Sequence, residues 1–349
     1  MRTSRRNLLS ALAVTATVVA VLGPGAVLAQ SAPASAFRDT AIAGWKRRIH
    51  AILNRNRLPI IDMQATYIPG TTNVRLMVGF MDELDIAQIA FAAANVPTSA
   101  PSLDLYRAHP DYFIPATNSG EYPRWWNNPQ NFLTGVTAEL KTGQFFLMGE
   151  HEFRHYPSPE QVAAGQTLRD ITVPIDGSAG QALFQLSTDT GVSFQIHYEI
   201  EDRLLPALEA MLERYPKANV IWCHLAMIRY PDRGSRYTPT YITSLIERFP
   251  GLHFDLAVPP PGSVYTPSGA RDSTLYGGDG KMKPEWRAII EAHPDRFLAA
   301  SDYRPPVEPQ YKMNMQRQRR LVEELSPTAQ HLVAYRNAWR LITGTQWSD

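Results

Sequence analysis

The sequence predicts an α/β protein in which eight parallel strands alternate with helices and close into a (β/α)8 barrel (a TIM barrel). Eight short apolar runs recur along the chain, and segments with the spacing of amphipathic helices separate them. Residues 37–349 contain no flexible linker and no short repeat. A chain of 349 residues, less an N-terminal targeting segment, suits one barrel, so we predict a single domain over residues 37–349.

The strands follow from short apolar runs, and the helices follow from apolar residues at helical spacing. From Leu204 to Leu212 the apolar positions form one stripe of a helix. Pro216 and Pro250 follow helical patterns and end them before the next strand. The eight predicted strands are residues 59–62, 86–92, 112–116, 145–148, 192–196, 220–223, 252–256 and 297–300.

Composition excludes several classes of protein. The chain has 34 Lys+Arg, 33 Asp+Glu, a net charge of +1 and 44% hydrophobic residues, so it is neither disordered nor collagen-like. Such a charge balance gives no reason to expect a nucleic-acid partner. The single cysteine cannot form an intramolecular disulfide, so a core, a partner or a metal must stabilise the fold.

The N-terminal segment has the pattern of an export signal. Arg5-Arg6 precedes the apolar run Ala11 to Leu22, which resembles a twin-arginine signal. We predict a signal peptide over residues 1–36, with cleavage after Ala29 or Ala36, and a periplasmic or secreted protein without stable membrane insertion after cleavage. An uncleaved membrane anchor is the alternative.

Polar residues end four of the predicted strands. In a barrel of this class the active site lies at the carboxyl ends of the strands, where inward side chains converge. A polar residue that ends an apolar run and points inward is therefore a candidate for the functional site. The four residues are Glu150, His197, His224 and Asp302.

Alternation along a strand predicts which of these side chains enter the barrel. Glu150 would share a face with Met148, and His224 would share a face with Trp222. Cys223 would then face the helices. A shift of one residue in the fourth strand would bring His151 inward in place of Glu150.

Three runs of residues resemble a known family. Ile196-His197, the run from Ile221 to Ala226 and the run from Phe297 to Tyr303 look like the fifth, sixth and eighth strands of the amidohydrolase superfamily. The similarity is to its amidohydrolase-related (amidohydrolase 2) branch, which includes decarboxylases and lactonases, and it extends over nearly all of residues 37–349. It implies a hydrolase with one or two divalent metals that activate water for attack on an amide, ester or lactone, or a decarboxylase.

The first strand departs from the family pattern. The family has Asp-x-His-x-His there, whereas this chain has Gln64 and Thr66 in place of both histidines. An amide and a hydroxyl are poor zinc ligands, so the usual first metal position would be empty. The remaining pattern resembles N-acetylglucosamine-phosphate deacetylases, in which a glutamate and two histidines hold one metal. The resemblance thus implies one divalent ion, with zinc expected, on Glu150, His197 and His224.

The resemblance also implies roles for other residues. Asp302 would accept the proton of the activated water and pass it to the leaving group, and Gln64 would donate a hydrogen bond to the substrate carbonyl. Arg154 and His155 are predicted on a loop at the catalytic face, where they could bind an anionic substrate. Thr66 would line the substrate pocket.

Other functions remain open at this stage. One is a metal-independent lactonase, hydrolase or decarboxylase on the same barrel, and another is a binding protein without catalytic activity. Either way a small molecule is the expected partner. The loop from Val258 to Met282 is predicted to cover the site. Helices after Asp302 are compatible with a homo-oligomer.

Overall fold

The computed structural model describes residues 32–121 and 123–348. Residues 1–31 of the predicted export signal lie outside the described residues, and the remainder of that segment begins helix α1 (Ala32–Leu53). Within the described part of the chain, no helix has both the length and the apolar character needed to cross a bilayer. The export signal stays a prediction.

Eight parallel strands form the central sheet, in agreement with the predicted fold class and with all eight predicted segments. The sheet follows the order β1-β2-β3-β4-β6-β7-β8-β11, and helices connect most successive strands, so the fold is a (β/α)8 barrel. The strands are β1 (Ile60–Tyr67), β2 (Ile86–Ala93), β3 (Phe113–Ala116), β4 (Leu147–His155), β5 (Ile171–Thr172), β6 (Ser193–Tyr198), β7 (Val220–Trp222), β8 (Leu252–Asp255), β9 (Val264–Tyr265), β10 (Ala270–Arg271) and β11 (Phe297–Leu298).

Backbone hydrogen bonds close the barrel between its first and last strands. The Thr66 amide donates to the Tyr303 carbonyl at 2.7 Å, and the Asp302 amide donates to the Gln64 carbonyl at 3.0 Å. These bonds lie beyond the carboxyl end of β11. They therefore place Asp302 beside the end of β1, at the edge where barrel active sites form.

Thirteen α-helices are described, and most of them pack around the barrel. Helix α1 contacts the amino ends of the strands, because Trp45 Nε1 donates to the Phe113 carbonyl at 3.2 Å and Arg48 Nε donates to the Ala87 carbonyl at 2.8 Å. The other helices are α2 (Val74–Glu83), α3 (Ala100–Ala108), α4 (Arg124–Asn127), α5 (Pro129–Leu140), α6 (Pro159–Ala163), α7 (Ser178–Thr190), α8 (Leu205–Arg214), α9 (Pro239–Arg248), α10 (Pro284–Ala292), α11 (Glu308–Glu323), α12 (Pro327–His331) and α13 (Asn337–Thr343).

Three short strands were not predicted from the sequence. β5 pairs antiparallel with the end of β4, and β9 pairs with β10 in a separate hairpin within the segment 258–282. Each has only two residues, so none shows the alternation from which strands are predicted. The hairpin lies above the carboxyl ends of the barrel strands and helps to enclose the site.

Gly180 provides a test of packing around the barrel. A Cβ atom at this position in α7 would lie 1.7 Å from the Ile175 carbonyl oxygen, whereas a Cβ at Gly79 in α2 would meet nothing within 4 Å. Gly180→Ala is expected to lower the free energy of unfolding by ~3 kcal/mol, because the backbone at Ile175 or in α7 must move to make room for the added methyl group. Gly79→Ala, the matched control, is expected to raise it by ~0.5–1 kcal/mol. Urea denaturation measures both; equal stability of the two variants would contradict this packing.

Candidate active site

Three potential metal ligands meet at the carboxyl ends of neighbouring strands. Glu150 lies in β4, His197 in β6 and His224 just beyond β7. Glu150 Oε1 is 2.9 Å from His197 Nδ1 and 3.3 Å from His224 Nε2, and these two nitrogens are 3.1 Å apart. These three distances are close to the separation of about 3.3 Å expected between two ligand atoms of a tetrahedral zinc ion.

In each histidine, the hydrogen-bond partner of the nitrogen outside the triangle determines whether the nitrogen inside the triangle has a lone pair. His224 Nδ1 lies 2.7 Å from the Ala257 carbonyl oxygen, which can only accept, so Nδ1 carries the hydrogen and Nε2 is an acceptor. His197 Nε2 lies 3.2 Å from Glu199 Oε1, so its Nδ1 is the acceptor in the neutral ring. Two lone pairs and a carboxylate oxygen therefore converge, and a cation relieves their mutual repulsion.

The electrostatics of the site favour positive charge. Burial would lower the pKa of His197, but hydrogen bonds with Glu150 and Glu199 outweigh burial and raise it to about 9. Burial would also lower the pKa of His224, but the charge of Asp302 and the hydrogen bond with Glu150 raise it to about 10. Conversely, burial would raise the pKa of Glu150, yet the two histidines hold it well below its usual range. Protons and metal ions thus compete for the same three atoms.

Two of the strand-end residues have a left-handed backbone. The φ angle is 65° at His224 and 50° at Asp302, a region that costs energy for residues other than glycine. Asp255 Oδ1 holds the first turn by accepting hydrogen bonds from the amides of His224 at 2.8 Å and Ala257 at 3.1 Å. The Gln64 carbonyl holds the second turn through the Asp302 amide.

Asp302 lies in the same cavity as the two histidines. Burial raises the pKa of its carboxyl to about 6, although the positive charge of His224 acts in the opposite direction. A carboxyl group with a pKa near neutrality can both accept and return a proton at physiological pH. Asp302 therefore has the properties of a general acid and base.

The cavity above these residues has a volume of about 380 Å³. Its floor is formed at the ends of β6, β7 and β11, and its walls come from the segment 258–282 and helix α11. One side of the wall is apolar, with Met227, Val258 and Val264. Two arginines, Arg229 and Arg317, also line the cavity.

Comparison with known families is consistent with this geometry. The amidohydrolase family profile, Amidohydro_2, matches residues 135–343, which is more than half of the chain. The chain belongs to the amidohydrolase family. The matched segment of this amidohydrolase contains all three residues of the triangle and Asp302.

Solved structures with the same fold support the barrel assignment. A triply substituted organophosphorus hydrolase from Deinococcus radiodurans has a TM-score of 0.52 and 12% identity, over 82% of this chain and 92% of that chain. A 2,6-dihydroxybenzoate decarboxylase in complex with 2,6-dihydroxybenzoate has a TM-score of 0.50 and 12% identity, over 82% of this chain and 99% of that chain. At these identities the similarity shows the fold alone. Among curated proteins, none matches the sequence.

Gln64 and Thr66 differ in burial and hydrogen bonding. The Gln64 side chain is buried, and neither its amide nitrogen nor its amide oxygen has a hydrogen-bond partner in the described part of the chain. Thr66 is half-buried and bonds to Tyr303 through its backbone, and neither Thr66 nor Gln64 is among the described residues that line the cavity. The Gln64 side chain therefore has buried hydrogen-bonding groups without a described partner, and the backbone contact of Gln64 with Asp302 places it next to a cavity residue.

The prediction that Arg154 and His155 lie on a loop is wrong. β4 continues through both residues and pairs with β5, so both side chains are buried. Arg154 Nε donates to Glu201 Oε1 at 2.5 Å and its Nη1 donates to Asp170 Oδ1 at 2.5 Å, so its charge is already neutralised. Arg154 therefore lacks the free charge on which its predicted substrate role depended. The His155 ring packs 4.8 Å from the His197 ring, between centroids, and lies behind that residue.

The structure decides between Glu150 and His151. The two strands β4 and β6 are out of register between Met148 and Glu150, so one extra residue is accommodated there. As a result Glu150 faces the two histidines, while the His151 ring lies 5.1 Å from Trp125, between centroids. Burial lowers the pKa of His151 to about 4, which suits a neutral ring among apolar neighbours.

Alternation through β7 does not determine the direction of His224. The Trp222 ring packs on Tyr237 near the amino end of α9, so Trp222 faces the helices. The Cys223 thiol lies beside the Asp255 carboxylate, which is opposite to the predicted direction. The left-handed backbone at His224 breaks the alternation and turns its ring toward Glu150 and His197.

Three residues of the site were not predicted from the sequence: Glu199, Asp255 and Arg317. Glu199 follows His197 by two residues, so strand alternation could have indicated it. Asp255 is a polar residue at the end of a strand, and the rule applied to Asp302 would have included it. Arg317 has no comparable signal, because an arginine within a helix is usually a solvated surface residue.

Proposed function

We propose that this amidohydrolase is a hydrolase that uses one divalent metal, zinc, on Glu150, His197 and His224 to cleave a small-molecule ester, lactone or amide. The observation that carries the proposal is the convergence of one carboxylate oxygen and two imidazole nitrogens within 3.3 Å of one another. A glutamate with two histidines is a known ligand set of catalytic zinc, and it leaves a coordination position for the reaction.

The chain's own groups supply the remaining chemistry. A divalent metal at this triangle would act as a Lewis acid that lowers the pKa of water and polarises a carbonyl group. Asp302 accepts a proton at its carboxylate and returns it to the leaving group. The Gln64 amide donates a hydrogen bond to the substrate carbonyl oxygen. The segment 258–282 restricts access of bulk water to the cavity.

Metal content of the purified protein tests this proposal. We expect one equivalent of zinc by elemental analysis, and activity on at least one member of an ester, lactone and amide panel that chelation removes and zinc restores. His293→Ala, at the C-terminus of α10 before β11, is the matched control and should keep the metal. A protein that binds no zinc even when zinc is supplied would contradict the proposal and favour a metal-independent enzyme or a binding protein.

Zinc binding is expected to release protons. Because the pKa values of His197 and His224 are raised to about 9 and about 10, both rings are protonated at pH 7 when no metal is present. Zinc binds only the neutral rings, so we expect the release of about two protons per ion. Titration calorimetry in buffers of different ionisation enthalpy measures this number. A binding enthalpy that is independent of the buffer would show that zinc binds elsewhere.

Glu199 is expected to strengthen the metal site by orienting the His197 ring. Its carboxylate faces His197 Nε2 and forms a 2.8 Å ion pair with Arg229. Glu199→Gln removes the charge that orients the His197 ring, so zinc affinity should fall about 10–100-fold. Competition with a chromophoric chelator measures the affinity. Glu213→Gln, at an exposed position of α8, should have no effect, and equal affinities in the two variants would contradict the assigned role.

We also propose that residues 1–36 direct export before cleavage. The basis is the twin-arginine pattern at Arg5-Arg6 with the apolar run that follows. Mass spectrometry of protein from the periplasm should show an N-terminus after Ala29 or Ala36, and Arg5→Lys with Arg6→Lys should retain the precursor in the cytoplasm. Intact precursor in the membrane fraction would instead support an uncleaved anchor.

A further inference from the structure

Arg317 is a cavity residue whose positive charge has no counter-charge among the residues that the structure describes. Its Nη2 donates to the Val258 carbonyl at 3.2 Å and to Asn314 Oδ1 at 3.1 Å, and its side chain also interacts with the Tyr276 hydroxyl; all three partners are neutral groups. Its Nε is buried and has no hydrogen-bond partner among the residues that the structure describes. Within that part of the chain it forms no ion pair with any carboxylate. Because Arg317 lines the cavity, a carboxylate of a ligand bound there would be close enough to compensate its charge.

Arg229 provides the contrast within the same cavity. It forms ion pairs with Glu199 at 2.8 Å and with Asp272 at 3.3 Å, so the protein already neutralises its charge. The pKa values of the two arginines differ in the same sense. Burial would lower the pKa of Arg229, but the two carboxylates raise it. Burial lowers the pKa of Arg317, and no carboxylate reverses that effect. Arg317 is thus the cavity cation with unused capacity for an anion.

Short connections hold Arg317 in a defined position relative to the proposed catalytic groups. Asn314, which accepts a hydrogen bond from Arg317, donates from Nδ2 to the Ser301 carbonyl at 2.9 Å, and Ser301 precedes Asp302. Val258, the other acceptor for Arg317, follows Ala257, whose carbonyl orients the His224 ring. The guanidinium is therefore anchored to both sides of the reaction centre.

We propose that Arg317 binds a carboxylate of the substrate, a group separate from the carbonyl that reacts at the metal triangle. This inference rests on the proposed function and specifies its substrate class as a carboxylate-bearing ester, lactone or amide. The apolar wall of Met227, Val258 and Val264 packs against the body of the substrate between the two polar ends. A charge-assisted hydrogen bond with a guanidinium then orients the substrate.

Binding of benzoate and of its neutral counterpart benzamide tests the inference without an activity assay. Calorimetry of the zinc-loaded and the metal-free protein should give benzoate at least about a tenfold higher affinity than benzamide in both forms. Arg317→Met should abolish this preference and leave benzamide affinity unchanged, which also shows that the cavity is intact. Arg317→Lys keeps the charge and should retain part of the preference. Arg320→Met, on the exposed face of the same helix, is the matched control.

The outcomes separate this inference from the proposed function. A benzoate preference that survives Arg317→Met, or depends on zinc alone, would overturn the Arg317 site while leaving the metal hydrolase intact. The absence of benzoate binding to every form would also overturn it. If the protein binds no zinc but shows an Arg317-dependent preference for benzoate, the anion site stands and the metal hydrolase is wrong.

Discussion

Replacement of His224 with alanine is expected to remove the metal from the purified protein. His224 Nε2 is one of three atoms that face the proposed ion, 3.3 Å from Glu150 Oε1 and 3.1 Å from His197 Nδ1. Loss of an outer partner of a ligand typically costs about 10–100-fold in affinity, so loss of the ligand itself should exceed about 100-fold. Elemental analysis should show zinc content falling from one equivalent to nearly none.

Two comparisons make the His224 result specific. His155→Ala removes a buried ring that packs against the His197 ring and whose Nδ1 is hydrogen-bonded to the Arg169 backbone carbonyl. This variant should keep zinc, so it controls for loss of packing. The midpoint of thermal unfolding, measured for the chelated proteins, separates metal loss from unfolding. Zinc retained in full by His224→Ala would show that the metal triangle is misassigned.

Asp302→Asn is expected to lower kcat/KM by about 10²–10⁴-fold on the best substrate of the panel, the usual contribution of a general acid or base. Asparagine preserves the shape of the side chain and tolerates the φ of 50° at this position, so the backbone turn should remain. Asp302 is outside the metal triangle, so zinc content should not change. Activity within tenfold of that of the unsubstituted protein would place the acid and base at another residue.

The pH dependence provides an independent test of Asp302. Burial raises its pKa from 3.8 to about 6, so the carboxyl becomes protonated, and unable to accept a proton, as the pH falls through about 6. kcat/KM should then fall with decreasing pH below about 6, while it is near its plateau above pH 7. Asp302→Asn should lose this acid limb. A limb that remains in the variant would belong to a different group.

Much of the site could be predicted because barrel geometry relates sequence position to location. Polar residues at the ends of apolar runs meet at the carboxyl edge, and this rule alone predicts that Glu150, His197, His224 and Asp302 lie together, as the structure shows. The rule failed for Arg154, because the strand extended further than its apolar run and buried the guanidinium against Glu201. An ion-pair partner that is distant in the chain cannot be predicted from the residues that surround Arg154 in the sequence.

The sequence by itself determined the barrel, the order of its strands and the edge at which the polar residues collect, because apolar periodicity is a local property of the chain. Only the tertiary structure decided the direction of individual side chains. A register shift in β4 turned Glu150 inward instead of His151, and a left-handed backbone held by Asp255 turned His224 inward. It also showed that Arg317, on a helix, lines the cavity without a counter-charge in the described part of the chain. Bulges, strained turns and charge pairing arise from contacts between distant segments, which the period of a strand or helix does not encode.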